Sequence, residues 1–267
     1  MDDEKKYIEC NRELWNGWTG INVNSGLYDL EGFKAGRNKL KSIELEELKN
    51  IAGKSMLHLM CHFGMDTLSW ARMGAEVTGI DFSPKAISMA KSLSNELNIP
   101  ARFIETELYD LPNVLDEKFD IVFTSYGVLT WIGDVNKWAE IAARYLKPGG
   151  IFYMVEFHPF LWMMDDDGKK IEYPYFHSGK PLKFEDSGNY ADPESEFKHV
   201  SYEWPHSLGD IVTALIDAGL RIEFLHEFPY SPTNCCTFFV ESSPGKYVIK
   251  DYPDLVPLVF SIRATLA

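Results

Sequence analysis

The stretch "SMLHLMCHFGMDTL", residues 55–68, sets Cys61 and His62 side by side between an apolar run and a single glycine, Gly64. A cysteine next to a histidine offers three kinds of chemistry: a metal site, an activated thiol, or a loop whose backbone holds a cofactor. A zinc site needs further ligands at metal spacing, and none stands nearby in the sequence. A thiol nucleophile needs a paired base and a leaving group, so a packed or cofactor-lining thiol is the simpler reading. The cofactor loop gains support from Asp81, which stands 17 residues after Gly64, at the end of the next apolar run, "AEVTGI". Backbone amides and a helix N-terminus below, with a carboxylate for two ribose hydroxyls, make a nucleoside site.

Those residues need a scaffold, and the periodicity supplies one. Met56–Met60 reads as a strand buried on both faces. A helix capped by Asp66 or Thr67 comes next and stops at Gly74. The second strand ends at Asp81, and Ser83 with Pro84 starts a helix as N-cap and first residue. Ala101–Glu105 is a third strand, "FDIVFTS" a fourth and Ile151–Phe157 a fifth, with an Asp134-capped helix over 134–146. Strands alternating with helices predict an α/β, doubly wound, mostly parallel sheet. Ligands in such sheets bind beyond the carboxyl ends of the strands, where strand order reverses. Residues 61–66 occupy that place.

Two regions break the rhythm. Residues 1–50 form a helical, aromatic cap with Trp15, Trp18 and Tyr28. Residues 159–205 form an insertion after the fifth strand, rich in aromatics from Phe160 to Trp204, which suits a lid over a flat or apolar substrate. The sheet core is thus 51–158 and 206–267. Its second part holds a Ser207-capped helix, a strand "RIEFLHEF" in which alternation buries His226, a long loop over 229–254 and a final strand "LVPLVFSIRA".

With 26 basic and 40 acidic residues the net charge is −14, which repels phosphate backbones and anionic membranes. Nucleic acid and membrane are not expected partners. No apolar run reaches the ~20 residues that span a bilayer, and the N-terminus lacks a signal-peptide pattern. A cytoplasmic location with reduced cysteines is expected. Monomer and homodimer are both open.

The ordered set "LHLMCHFGMDTL", "VTGIDFSPKAI", "TELYDLP", "FDIVFTSYGVLTWI" and "RYLKPGG" resembles the core of the class I S-adenosylmethionine (SAM)-dependent methyltransferases, within a small-molecule subgroup carrying an LHLxCHFGxDTL first loop. The resemblance implies a seven-stranded Rossmann-like sheet, SAM as cofactor, S-adenosylhomocysteine (SAH) as product and a small-molecule acceptor. The wider family's first loop reads acidic-x-Gly-x-Gly-x-Gly. That pattern puts His58 in the acidic place, Met60 and His62 in the first two glycine places and Gly64 in the third, with the Cys61 and His62 side chains lining the cofactor. Asp81 matches the ribose-binding acid and Phe82 lies against adenine. Glu107, with Leu108, matches the adenine-side acid, and Ser125 and Tyr126 meet the amino acid end.

Methyl transfer at a sulfonium requires alignment and exclusion of water, and no metal. A hydroxyl or ammonium acceptor would also need a base, for which His158, Tyr126 and His206 are the candidates. A SAM-binding sensor, or an enzyme that modifies SAM itself, is the alternative. A nicotinamide oxidoreductase would need a GxGxxG turn, and "CHFGMD" offers one glycine.

Overall fold

A computed structural model describes residues 2–266. Its N-terminal piece is helical: α1 (Asp2–Asn24), α2 (Leu30–Lys34) and α3 (Ser42–Glu47). Then alternation begins. β1 (Ser55–Leu59) leads through the 60–64 loop into α4 (Met65–Arg72), and β2 (Glu76–Asp81) into α5 (Pro84–Leu97). β3 (Arg102–Glu105), β4 (Phe119–Thr124), α6 (Val135–Arg144) and β5 (Leu146–Phe157) continue the chain. An inserted pair, β6 (Leu182–Ser187) and β7 (Lys198–Glu203), precedes α7 (Leu208–Asp217) and β8 (Leu220–Phe228). β9 (Phe239–Ser243), β10 (Lys246–Ile249) and β11 (Val259–Leu266) close it.

Seven strands form one sheet in the order β3-β2-β1-β4-β5-β11-β8. β1 pairs in parallel with β2 on one side and β4 on the other, so the order reverses between β1 and β4. β11 runs antiparallel to both β5 and β8. Apolar side chains fill both faces: Trp138 packs edge-on against Phe152 beneath α6, and Trp70 of α4 against Phe123 on the opposite face. The expected caps are present at α5, where Ser83 Oγ accepts from the Ala86 amide, and at α7, where Ser207 Oγ accepts from the Asp210 amide. No helix among the described residues is long and apolar enough to cross a membrane.

Three local expectations are corrected. α4 starts at Met65 behind Gly64, whose φ is +78°, rather than behind an Asp66 or Thr67 cap. A Cβ at Gly64 would stand 2.7 Å from the Phe103 ring and 2.9 Å from Ala90 Cβ, so close packing under the loop fixes the earlier start. The 229–254 stretch is not all loop: β9 and β10 pair as a hairpin. His226 is not buried, because β8 is the edge strand and its side chain, 51% exposed, meets Glu47 at 2.7 Å.

α1 lies along the inserted pair. Asn11 donates from Nδ2 to the Tyr202 carbonyl (2.7 Å) and accepts the Tyr202 amide on Oδ1 (2.9 Å), pairing as a strand edge would. Trp18 Nε1 donates to the Gly188 carbonyl at 3.1 Å.

Candidate active site

The 60–64 loop holds three left-handed residues at alternate positions: Met60 at φ +57°, His62 at +51° and Gly64 at +78°. They fall on the three glycine places of the acidic-x-Gly-x-Gly-x-Gly pattern. Two L-residues with side chains therefore adopt the conformation that glycine would supply at no steric penalty, at roughly 1–2 kcal/mol each. Non-local hydrogen bonds impose it. The Cys61 amide donates to the Ile80 carbonyl (2.8 Å), and the His62 amide to Asp81 Oδ2 (2.8 Å).

Asp81, 7% exposed, takes the Ser83 amide on its other oxygen at 2.9 Å. Burial pushes its carboxyl up to about 6, against the amides that hold it down. Each oxygen keeps a lone pair for a ligand hydroxyl. Asp81 stands where two hollows meet. A cavity of about 1010 Å³ opens above the sheet, and a cleft of about 30 Å³ runs toward β3. Met60, Phe82, Trp131 and Trp204 also line both. In the cleft, buried Leu108 forms the wall beside Glu107, whose Oε2 accepts the Tyr109 amide at 2.7 Å and whose carboxyl burial pushes up to about 7.

On the cavity side, Cys61, His62, Gly64, Ser125 and Tyr126 all line the wall. Burial pushes the Cys61 thiol well above its ordinary range and holds His62 neutral at about 3. His58 is not on that wall. Its Nδ1 lies 2.8 Å from Thr67 Oγ1 and its Nε2 3.1 Å from Ser125 Oγ, so it ties α4 to the end of β4 from behind. Burial lowers it to about 3, which keeps it neutral.

The candidate bases fare differently. His158 does not face the cavity. Its amide donates to the Leu258 carbonyl, Nδ1 accepts the Phe160 amide at 3.1 Å, and Nε2 lies 3.0 Å from Glu227, at ion-pair distance but outside hydrogen-bond geometry. The bond to Leu258 continues the β5–β11 pairing, and the imidazole lies against Phe260 and Glu227. Tyr126 lines the cavity, but its hydroxyl donates to Glu44 Oε2 at 2.9 Å, and burial pushes the phenol well above its usual range. His206 lines the cavity, donating from Nε2 to the Ile132 carbonyl at 2.6 Å.

Sequence reasoning missed two acids on this wall. Glu44, in the capping box of α3, accepts the Lys41 amide at 2.5 Å and the Tyr126 hydroxyl, and burial raises it to about 7. Glu156, near the end of β5, accepts four amides: Gly127, Val128 (2.7 Å), Leu129 (3.1 Å) and Phe157 (2.7 Å). It fixes the loop after β4; burial raises it to about 7 despite those donors. The one available signal was an acid inside the apolar run "IFYMVEF".

A family model described as "Methyltransferase domain" matches residues 57–154, which carry the 60–64 loop, Asp81 and Ser125. Over this segment the chain is similar to methyltransferase domains. The chain is 34% identical over 131 residues to a methyltransferase of Synechocystis sp., covering 48% of this chain and 59% of that one. It is 28% identical over 154 residues to a ubiquinone biosynthesis O-methyltransferase of Proteus mirabilis, covering 56% and 62%. The chain thus spans about three-fifths of these relatives' lengths. A crystal structure of an S-adenosylmethionine-dependent methyltransferase from Clostridium acetobutylicum superposes with a TM-score of 0.57 at 15% identity, over 92% of this chain and 94% of that one. At that identity the likeness shows the fold, a Rossmann-like methyltransferase fold.

Proposed function

We propose that this chain transfers the methyl group of SAM to a small-molecule acceptor. The observation that carries the reading is Asp81: a buried carboxylate with two amides already bound and two lone pairs free, at the carboxyl end of β2, where the cleft and cavity meet. Those residues fit a nucleoside: Asp81 for the ribose hydroxyls, Phe82, Leu108 and Glu107 around the base, and the 60–64 loop with Ser125 and Tyr126 toward the amino acid end. Bound there, SAM supplies a methyl group already activated by its sulfonium. The protein's own share is alignment and exclusion of water. Trp15, Trp18 and Trp131 meet edge to face at 5.2–5.9 Å, and Trp15 meets His62 at 5.0 Å, so α1 roofs the loop. The relatives named for methyl transfer support the same reading.

The test is calorimetric titration of the purified chain, freed of nucleotide, with SAM, SAH and NADH. Micromolar binding of the two sulfur nucleosides and none of NADH is expected. Failure of both to bind would overturn the proposal.

A further inference from the structure

The cavity is electrically lopsided. Nine carboxylate side chains and two lysines line it, and both lysines, Lys39 and Lys41, stand at the α3 end beside Glu44. From Gly127 onward the lining holds six carboxylates and no Lys or Arg. Several are already engaged: Glu156 by four amides, Glu185 by Lys183, and Asp165 by the Lys169 and Lys170 amides. Glu203 is different. At the end of β7, its Oε1 accepts from Ser201 Oγ at 2.7 Å, and Oε2 has only a long contact of 3.4 Å with Thr130 Oγ1. Among the described residues no cation stands within ion-pair distance of it. Thr130 belongs to the loop that Ser125 and Tyr126 begin, and the Trp204 amide donates to the Thr130 carbonyl at 2.8 Å, so Glu203 is held against that loop.

His206 adds a second acceptor. It is 6% exposed, and because Nε2 carries the proton given to Ile132, Nδ1 presents a lone pair with no partner among the described residues. Trp131, Trp204, Tyr173 and His199 line the same cavity as these two acceptors. A pocket with a half-satisfied carboxylate, a bare imidazole nitrogen and aromatic walls selects a ligand that donates hydrogen bonds and carries positive charge. It penalises a carboxylate or phosphate ligand by like-charge repulsion.

We infer that the methyl acceptor is an amine on an apolar frame, and that Glu203 binds its ammonium group and takes its proton. This rests on the methyl-transfer reading. The ammonium gives one proton to the Glu203 carboxylate. The freed nitrogen lone pair forms the N–C bond as the C–S bond breaks, the sulfur keeping the bonding pair and leaving as a neutral thioether. The product departs as the methylated ammonium, and Glu203 returns its proton to water.

The experiment compares three frames (indole-ethyl, phenyl-ethyl and n-octyl), each as amine, alcohol and carboxylate, titrated into the SAH-saturated protein. At least one amine should bind tenfold or more tighter than its matching alcohol, with the carboxylate weakest. Glu203→Gln should erase that amine-over-alcohol preference while SAH affinity stays within twofold, and Glu203→Asp should restore part of it. A merely structural role for Glu203 would weaken amine and alcohol alike. Equal binding within every frame, a preference surviving Glu203→Gln, or no binding by any of the nine compounds would overturn the inference. If SAH itself does not bind, the methyl-transfer reading fails first, and the same nine titrations on the SAH-free protein still decide whether Glu203 selects amines.

Discussion

Replacing Asp81 by Asn changes one atom and removes one charge at the point where cleft and cavity meet. In the native chain each carboxylate oxygen accepts one amide, from His62 at 2.8 Å and Ser83 at 2.9 Å, and in the proposed site each would also accept one ribose hydroxyl. Asn has one accepting oxygen. Whichever way its amide is turned, an NH2 group faces either the His62 or the Ser83 amide, donor against donor. One ribose hydroxyl loses its acceptor, and the other loses the charge on its own. Hydrogen bonds to charged groups are worth about 1.5–3 kcal/mol each, so the two losses sum to about 3 kcal/mol, or ~150-fold in affinity. The free protein also loses about 1–3 kcal/mol of stability from the amide left without a partner. The assay is calorimetric titration with SAH, run well below the variant's own melting temperature. Binding within threefold of native would mean that Asp81 does not face a nucleoside and would refute the site as drawn.

Other perturbations test separate parts of the structure. Between pH 5 and 8, SAH affinity should rise as Asp81 ionises near 6, by about tenfold below that value for each pH unit. Stability of the ligand-free protein should move the other way. Asp81, Glu44, Glu107 and Glu156 have folded values of about 6 to 7, above their unfolded ones, so the stability they contribute is complete below pH ~4 and lost as pH rises through 6–7; the buried neutral His58 and His62 add the opposite slope only below about 6.5, so a melting temperature higher at pH 8 than at pH 6.5 would contradict this. Met60→Gly should leave stability within about 1 kcal/mol, relieved strain offsetting lost packing, whereas Met60→Val should lower it by about 2 kcal/mol, because a β-branched residue resists positive φ. Glu156→Ala should cost at least about 3 kcal/mol in chemical denaturation, since four amides lose their acceptor together. Asn11→Ala should raise the acceptor KM, because it unpairs α1 from Tyr202, and should also weaken SAH by less than Asp81→Asn does, because Asn11 lines the cleft beside Glu107.

The division between features legible in the sequence and features hidden there is one of interaction range. β1 and β2 are short apolar runs, and the caps of α5, α6 and α7 are set by residues within three positions, so these elements read directly. The place of Asp81 at the end of β2 was legible from the apolar run before it. The loop was harder. Met60 and His62 look like a departure from a glycine pattern, yet their backbone keeps left-handed φ, because Ile80 and Asp81 on the neighbouring strand impose it. His158 was misplaced for a similar reason: its position after β5 should carry it into the crevice, but distant Leu258 keeps its backbone paired beside β11 and Glu227 of β8 meets its ring. Glu44 and Glu203 acquire meaning only from partners on other elements, Tyr126 and Thr130. The aromatic content of 159–205 was visible, but its pairing with α1 was not.

That pairing has a further consequence. α1 is fastened at both ends of the site: Asn11 to Tyr202 in the insertion, and Asn16 Oδ1 to the Ser83 hydroxyl at 2.7 Å, beside Asp81. One rigid rod therefore touches the floor where a nucleoside would lie and the strand that carries Glu203. A ligand that shifts the rod from below changes the pocket above, and the reverse holds by linkage with the same factor. Any cooperativity between a ligand in the cleft and one in the cavity would pass through this helix, whose Asn11 lines the cleft and whose Trp15 and Trp18 line the cavity.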